Sequence, residues 1–148
     1  MNGLKKIISF GVGLLVFNIL AATISTQIVL KELIVIGVEI PLQIRLTTTL
    51  HDIAGLMPTF SPVFGFGFLI AFFAAAQMTK RTNLSAHMVF AGAGFVSVLV
   101  TLVTLEAVLG LTALAAARET SGVILLSLCG LPAGVTYFSL TTRLQANT

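Results

Sequence analysis

The sequence predicts an all-α integral membrane protein: a four transmembrane helix bundle with a short β-strand or hairpin in its first outer loop. Three observations lead to this fold class. The 148-residue chain is 57% hydrophobic and only 9% charged, whereas a soluble domain carries about 25% charged residues. Four apolar stretches are long enough to cross a hydrocarbon core about 30 Å thick. All five acidic residues fall on one side of these stretches, and five of the eight basic residues fall on the other.

The four predicted spans form one domain, residues 1–148, because the chain is too short for two ordinary domains. The spans cover about residues 7–30, 58–78, 85–108 and 121–142. We expect the first to be a signal-anchor helix rather than a cleaved signal peptide, because its apolar run is long enough to span the bilayer.

Prolines and glycines refine these spans. Pro58 and Pro62 suit the start of the second helix, and Pro132 should kink the fourth. The stretch 85–117 contains no proline. The third helix therefore either runs on for about 33 residues or breaks near Gly110 into a short interfacial helix, and both alternatives stay open.

The charged residues predict the orientation. On this layout one side carries basic residues only: Lys5, Lys6, Lys80, Arg81 and Arg143. The other side carries every acidic residue of the chain, Glu32, Glu39, Asp52, Glu106 and Glu119, together with Lys31, Arg45 and Arg118. A basic excess in short connections marks the cytoplasmic side. Both termini are therefore expected in the cytoplasm, with a bacterial inner (plasma) membrane as the default location.

The first outer connection, about residues 31–49, has a period-two pattern. Its apolar residues alternate with Gly, Glu, Pro and Gln, and Val and Ile are abundant, which is typical of a strand. One face of this strand would carry Ile36, Val38, Ile40 and Leu42. An unpaired strand exposes an edge that favours association. The segment should therefore form its own hairpin or bind a protein partner or a second copy of the chain.

Small residues at four-residue spacing predict contacts between helices. Gly130 and Gly134 form such a face in the fourth span, and Ala93 and Ser97 form another in the third. In lipid, small residues let helix backbones approach closely. We expect contacts within the chain rather than an oligomer interface.

A few polar residues in or beside the spans are the candidate functional residues. Together they would form a ligand or ion path: Asn18, Gln27, His51, Asp52 and Glu106. Ionisable groups at membrane depth usually face other helices and pair with a partner.

Each of these residues also has a structural interpretation, which the pattern favours. Asn18 and Gln27 suit hydrogen bonds between helices. Asp52 suits a helix cap, and His51 suits the headgroup level. Glu106 suits an ion pair. Three side chains are candidates to pair with it: Arg45, Arg118 and His51.

The motifs of enzymes, cofactor sites and nucleic-acid sites are missing from the sequence. There is no P-loop, no GxSxG and no HxxxH or CxxC spacing, so we expect no catalytic residues, no metal and no cofactor. The single cysteine, Cys129, lies in an apolar run and suits packing. The basic residues are scattered without interleaved aromatics, which is not the pattern of a nucleic-acid surface.

In layout the chain is similar to the claudin-type four-helix architecture, with a short N-terminus, a strand-bearing first outer loop and a long third helix. The tryptophan and the cysteine pair of that family's first loop are missing here. The resemblance is therefore one of architecture and implies no function.

These observations favour a non-enzymatic accessory or structural subunit of a membrane complex, with the lipid bilayer and a protein partner as its surroundings. The alternative is a small oligomeric transporter or channel in which the polar residues of the spans line the path. A membrane enzyme using His51, Asp52 and Glu106 is the weakest of the three interpretations.

Overall fold

The computed structural model describes residues 2–35, 37, 41–109, 117 and 119–146. The regular structure of these residues is helical, and the helices are α1 (Asn2–Val35), α2 (Leu42–Thr79), α3 (Ala86–Leu109), α4 (Thr120–Leu128) and α5 (Gly130–Ala146). Four stretches are long and apolar enough to cross a membrane, the last formed by α4 and α5 together. The prediction of a helical membrane protein with four spans is therefore confirmed.

The strand or hairpin predicted for about residues 31–49 is wrong in the part of that segment that the structure describes. α1 continues to Val35, and α2 begins at Leu42. Leu42, predicted to lie in a partner-binding strand, is the first residue of a helix. The other residues of that predicted strand face, Ile36, Val38 and Ile40, lie outside the described residues.

Gly37 and Pro41 bound two helices instead of interrupting a strand. Gly37 has a φ of 92°, which glycine adopts at little cost, and its N–H donates to the carbonyl of Ile34 at 3.0 Å. The carbonyl of Pro41 accepts from the N–H groups of Ile44 and Arg45 at 3.0 and 3.2 Å. A helix pairs its backbone groups internally. The free energy gained by pairing the backbone groups exceeds the helix-propensity cost of each valine or isoleucine, which is at most about 0.7 kcal/mol relative to alanine.

Pro58 and Pro62 do not start a helix, contrary to the prediction, because α2 begins at Leu42 and contains both. Each proline removes an N–H that would have bonded the carbonyl four residues earlier. Prolines are tolerated in membrane helices because neighbouring helices and hydroxyl side chains satisfy the freed groups. α2 is therefore one helix of 38 residues, although its membrane-spanning part starts only at Met57.

The fourth span is interrupted at Cys129, between α4 and α5. Pro132 lies three residues later. In a regular helix its ring would clash with the carbonyl of Leu128, which is four residues before it. The N–H of Cys129 instead donates to the carbonyl of Leu126 at 3.1 Å. The sequence predicted a kink in this span, and the structure shows an interruption of the helix three residues before Pro132. Whether α3 continues past Gly110 concerns residues outside the described ranges.

The helices run antiparallel and bring the two ends of the chain together. α1 and α3 each pack beside both α2 and α5. Lys5 Nζ donates to the carbonyl oxygen of Leu144 at 2.6 Å, so α1 begins where α5 ends. We call this the basic end, because the described residues there include Lys5, Lys6, Lys80, Arg81 and Arg143 and no acidic residue. The opposite end, where α1 ends and α2 begins, is the hairpin end.

An aromatic core joins the helices. Phe64, Phe68 and Phe72 recur every four residues along α2 and are 1–5% exposed. Phe17 of α1 packs on Phe64 and Phe68, with ring centroids 4.8 and 5.1 Å apart. Phe72 stacks on Tyr137 of α5 at 4.6 Å. Further rings extend these contacts to every long helix: Phe10, Phe60, Phe90 and Phe138.

The backbones of α3 and α5 approach most closely at three glycines. A Cβ placed on Gly94 would overlap the carbonyl group of Gly130, and one on Gly130 would overlap that of Gly94. A Cβ on Gly134 would overlap the carbonyl of Phe90. Contact of this kind is available only to residues without a side chain, so these glycines set the distance between the two helices.

Gly94→Ala should destabilise the fold, and Gly92→Ala should not. Both substitutions give the same gain in helix propensity, but a Cβ on Gly92 meets nothing within 4 Å. We expect Gly94→Ala to lower the free energy of unfolding by about 1–3 kcal/mol relative to Gly92→Ala, the usual cost of overpacking. Denaturation by SDS in mixed micelles, followed by circular dichroism, measures this difference. Equal stabilities would contradict the assigned α3–α5 contact.

Candidate functional site

The polar residues of α1 lie along its contact with α2, which we call the α1–α2 seam. Asn18 is buried in this seam. Its Nδ2 donates to Ser61 Oγ of α2 at 3.0 Å and to the carbonyl of Leu14 in its own helix at 2.9 Å. Both amide protons thus have an acceptor, which a buried amide group requires. Asn18 therefore joins α1 to α2.

A second polar contact crosses the seam nearer the hairpin end. Thr26, which is 3% exposed, places its Oγ1 2.7 Å from Asp52 Oδ2 and 2.8 Å from the carbonyl oxygen of Ala22. Its single proton is shared between two acceptors. A hydrogen bond from a hydroxyl group to a carboxylate is charge-assisted, and it is stronger than a hydrogen bond between two neutral groups. Asp52 is consequently held within α2 and turned toward α1, rather than capping the start of a helix.

The seam ends, nearest the hairpin end, in a longer contact between Gln27 and Thr49. Gln27 Nε2 lies 3.5 Å from Thr49 Oγ1, and Thr49 Oγ1 donates to the carbonyl of Arg45 at 2.8 Å. The pairs Asn18–Ser61, Thr26–Asp52 and Gln27–Thr49 follow one antiparallel register. The seam therefore brings together three of the five predicted path residues.

The remaining two path residues lie apart from the seam. His51 is exposed and borders a surface hollow of about 420 Å³ with Ile44, Thr47 and Thr48. Its neighbour in sequence, Asp52, instead accepts a hydrogen bond from Thr26 of α1. Two neighbours on a helix point about 100° apart, so the imidazole and the carboxylate leave α2 in different directions.

Glu106 is exposed near the end of α3, and it makes no ion pair with any described residue. Arg118, one of its three predicted partners, lies outside the described ranges. Within those ranges no three His, Cys, Asp or Glu side chains are grouped so as to hold a metal ion.

The residues predicted to form packing faces lie on α3 and α5. Gly130 and Gly134 are buried against α3. Ser97 is also buried, and it faces α2 at Gly67, where an added Cβ would come 3.1 Å from Ser97 Oγ. Its hydroxyl has no hydrogen-bond partner among the described residues. Ala93 is half-buried and borders a groove between α2 and α3.

Beyond the seam, α1 and α2 extend together as a projecting hairpin, residues 31–35 and 41–51. None of its described residues is buried. α1 and α2 have 34 and 38 residues, or about 51 and 57 Å. α3 has 24 described residues, or about 36 Å.

The projecting hairpin is apolar despite its exposure. Its exposed large apolar residues are Leu33, Ile34, Val35, Leu42, Ile44, Leu46 and Leu50. Three of them, Leu42, Leu46 and Leu50, are spaced four apart on α2 and are 60–73% exposed. They form a continuous stripe on one side of the helix, which we call the leucine stripe. Such a stripe normally faces another helix.

Sequence reasoning missed the leucine stripe because residues 42–50 fit two periods. Apolar residues at every second position include those at every fourth, so a strand and a helix share the same pattern at Leu42, Leu46 and Leu50. The signal that separates them is the pair of helix boundaries at Gly37 and Pro41.

No protein-family model matches the sequence, and searches of curated proteins and of solved structures gave no match. The class of the protein therefore rests on its own fold. It is a small helical membrane protein with four candidate spans, a hydrogen-bonded α1–α2 seam and an apolar hairpin that extends past that seam.

Thr26→Val should weaken the α1–α2 seam, because it removes the hydroxyl bound to Asp52 while keeping the shape of the side chain. Hydrogen bonds between membrane helices contribute about 0.6 kcal/mol on average and up to about 1.7. We expect a loss of stability at the upper end of this range, because the acceptor is a carboxylate group. SDS denaturation in mixed micelles measures it. Thr23→Val is the control, since the hydroxyl of Thr23 bonds only Ile19 of its own helix; equal losses in the two variants would contradict the contact.

Proposed function

We propose that this protein is a non-enzymatic subunit of a membrane complex and joins that complex through the projecting hairpin. The observation that carries the proposal is the exposed apolar surface of the hairpin, above all the leucine stripe. Soluble surfaces seldom present several large apolar side chains side by side, and such patches mark contact sites. Here the patch lies on the end of the α1–α2 pair, where none of the described residues is buried.

Helix length separates this surface from the lipid-facing one. A hydrocarbon core about 30 Å thick accommodates roughly 20 helical residues. The apolar span of α2 begins at Met57, so residues 42–56 precede it. They include Arg45, His51 and Asp52, which places ionisable groups beside the leucine stripe. This mixture suits a surface covered partly by protein better than one immersed in lipid tails.

The spacing of the stripe indicates what covers it. Leu42, Leu46 and Leu50 form one ridge of residues four apart, the kind of ridge that fits the groove of a neighbouring helix. The occupant we propose is a helix of another membrane polypeptide, laid along α2. Gln43 and Thr47 border the stripe and would lie at the polar rim of that contact.

The charge distribution supports an orientation with both termini in the cytoplasm, and we take a bacterial inner membrane as the default location. The basic end carries Lys5, Lys6, Lys80, Arg81 and Arg143. Short basic segments are retained on the cytoplasmic side during insertion. The projecting hairpin then lies on the outer side of the membrane, where a periplasmic or membrane partner can reach it.

Single cysteines test this orientation. Cys129 is the one cysteine in the chain and is buried, so Cys129→Ala gives a suitable background. In intact spheroplasts, a membrane-impermeant maleimide should label Gln43→Cys directly. It should label Asn83→Cys, in the α2–α3 turn, only after permeabilisation, since both positions are exposed but lie at opposite ends. The reverse labelling pattern would contradict the orientation.

Two matched double variants test the subunit proposal. Leu46→Lys with Leu50→Lys places two charges on the leucine stripe, and Gln43→Lys with Thr47→Lys places two charges beside it on the same helix. After gentle extraction of the tagged protein from its native membrane, native mass spectrometry should show a stoichiometric partner polypeptide. We expect the stripe variant to lose this partner, because two charges would have to be desolvated in the contact, and the rim variant to keep it.

Two results would overturn the subunit proposal. One is a monomer or a complex with lipid alone in the unsubstituted protein. The other is a partner that both double variants retain equally, because the contact would then lie elsewhere on the molecule. Far-ultraviolet circular dichroism of both variants verifies that the hairpin remains helical.

A further inference from the structure

A groove of about 400 Å³ runs along the outer face of the contact between α2 and α3, near the basic end. All the residues that border it are apolar. Its floor consists of small residues from both helices, among them Ala71 and Ala75 of α2 and Gly92 and Ala93 of α3. Small side chains on two facing helices leave a space that larger ones would fill.

The groove is open at Gly92. A Cβ on this residue would meet nothing within 4 Å, whereas one on Gly94, half a turn along the same helix, would overlap Gly130. The chain itself therefore supplies no atom above Gly92. Both helices lie within candidate spans, so the groove opens toward the membrane interior. An unfilled apolar hollow there forfeits van der Waals contacts on one side.

The rim of the groove includes two methionines and leads to the basic end. Met78, Leu84 and Met88 border the groove and are 53–72% exposed. Methionine side chains adapt to irregular apolar partners. Met78 is the penultimate residue of α2, and Leu84 lies between α2 and α3, so the groove reaches the α2–α3 turn.

That turn carries two adjacent cations, Lys80 and Arg81, both exposed. The N–H of Arg81 donates to the carbonyl of Met78 at 2.9 Å, and the two cations lie in sequence between Met78 and Leu84, which both border the groove. There is no acidic residue between Asp52 and Glu106 in the sequence. Guanidinium and ammonium groups bind phosphate, the guanidinium through paired hydrogen bonds.

We propose that the α2–α3 groove binds an anionic phospholipid, with one acyl chain along Ala71, Ala75 and Gly92 and the phosphate against Lys80 and Arg81. The two halves of the site match the two halves of such a lipid, since an apolar channel in the span ends at a basic turn. Basic pockets between membrane helices are known to take acidic lipid headgroups. A partner helix would fill the apolar part but would leave the paired cations at its end without an anionic counterpart.

Native mass spectrometry of the full-length protein from nanodiscs tests this proposal. The nanodiscs contain phosphatidylcholine with a minor share of phosphatidylglycerol, and the ratio of the two lipids retained on the protein is measured. We expect phosphatidylglycerol to be enriched on the unsubstituted chain. Lys80→Gln with Arg81→Gln should reduce that enrichment about 30-fold, from the contribution of two basic residues near the membrane surface. Arg143→Gln, at the basic end but on another helix, should leave it unchanged.

Filling the groove gives a second, independent test. Gly92→Leu should abolish retention of both lipids, because its side chain takes the place of the acyl chain. Gly11→Leu is the matched control, since a Cβ on Gly11 also meets nothing within 4 Å but lies on α1, away from the groove. Ala74→Phe fills the same groove from α2, in case Gly92→Leu does not fold. Circular dichroism establishes that each variant is folded.

Three outcomes would overturn the proposal. Equal retention of phosphatidylglycerol by Gly92→Leu, Ala74→Phe and the unsubstituted chain would place the lipid elsewhere. Equal retention of the two lipids by the unsubstituted chain would remove the role of Lys80 and Arg81. A dimer that Gly92→Leu converts to a monomer would show that a second copy of the chain, and not a lipid, occupies the groove.

Discussion

Backbone contact between α3 and α5 at Gly94, Gly130 and Gly134 is the constraint on which the other helix positions depend. Lipid tails are as apolar as the side chains they touch, so membrane helices associate through close packing rather than through the hydrophobic effect. Three glycines bring these two backbones as near as helices can come. That approach brings Phe90 of α3 and Tyr137 of α5 together, with ring centroids 5.5 Å apart. α1 and α2 then pack around the rings.

The two ends of the molecule differ in the burial of their described residues, since none of residues 31–35 and 41–51 at the hairpin end is buried. At the basic end, Lys5 donates to the last turn of α5, where a cation is favourable. At the hairpin end, α1 and α2 continue together and leave the leucine stripe uncovered. The seam contacts of Asn18 and Thr26 give the pair a single register. Hydrogen bonds direct Asn18, Thr26 and Gln27 of α1 toward α2.

Part of the candidate site was accessible from the sequence, and part was not. Asn18, Gln27 and Asp52 stood out as polar groups near spans, and interhelical hydrogen bonding was the favoured interpretation for the first two. Their partners Ser61, Thr49 and Thr26 could not be inferred, because the register of two antiparallel helices depends on contacts some 20 to 40 residues apart in sequence. The strand expected in the first connection was wrong for a local reason. Alternating apolar residues in an almost wholly apolar segment do not distinguish a two-residue period from a helical one.

The sequence by itself determined that this chain is a helical membrane protein with four spans. Its 57% hydrophobic and 9% charged residues leave too little polar surface to face water. In lipid, a spanning segment must pair its own backbone groups, which a helix does. The tertiary structure alone decided which small and aromatic residues pack. Gly92 and Gly94 are two residues apart, yet one faces an open groove and the other touches α5. Phe66 and Phe73 are exposed, whereas Phe68 and Phe72 are buried. A helix turns 100° per residue, so the positions of the neighbouring helices determine which of these side chains contact protein and which face outward. No local sequence pattern records those positions.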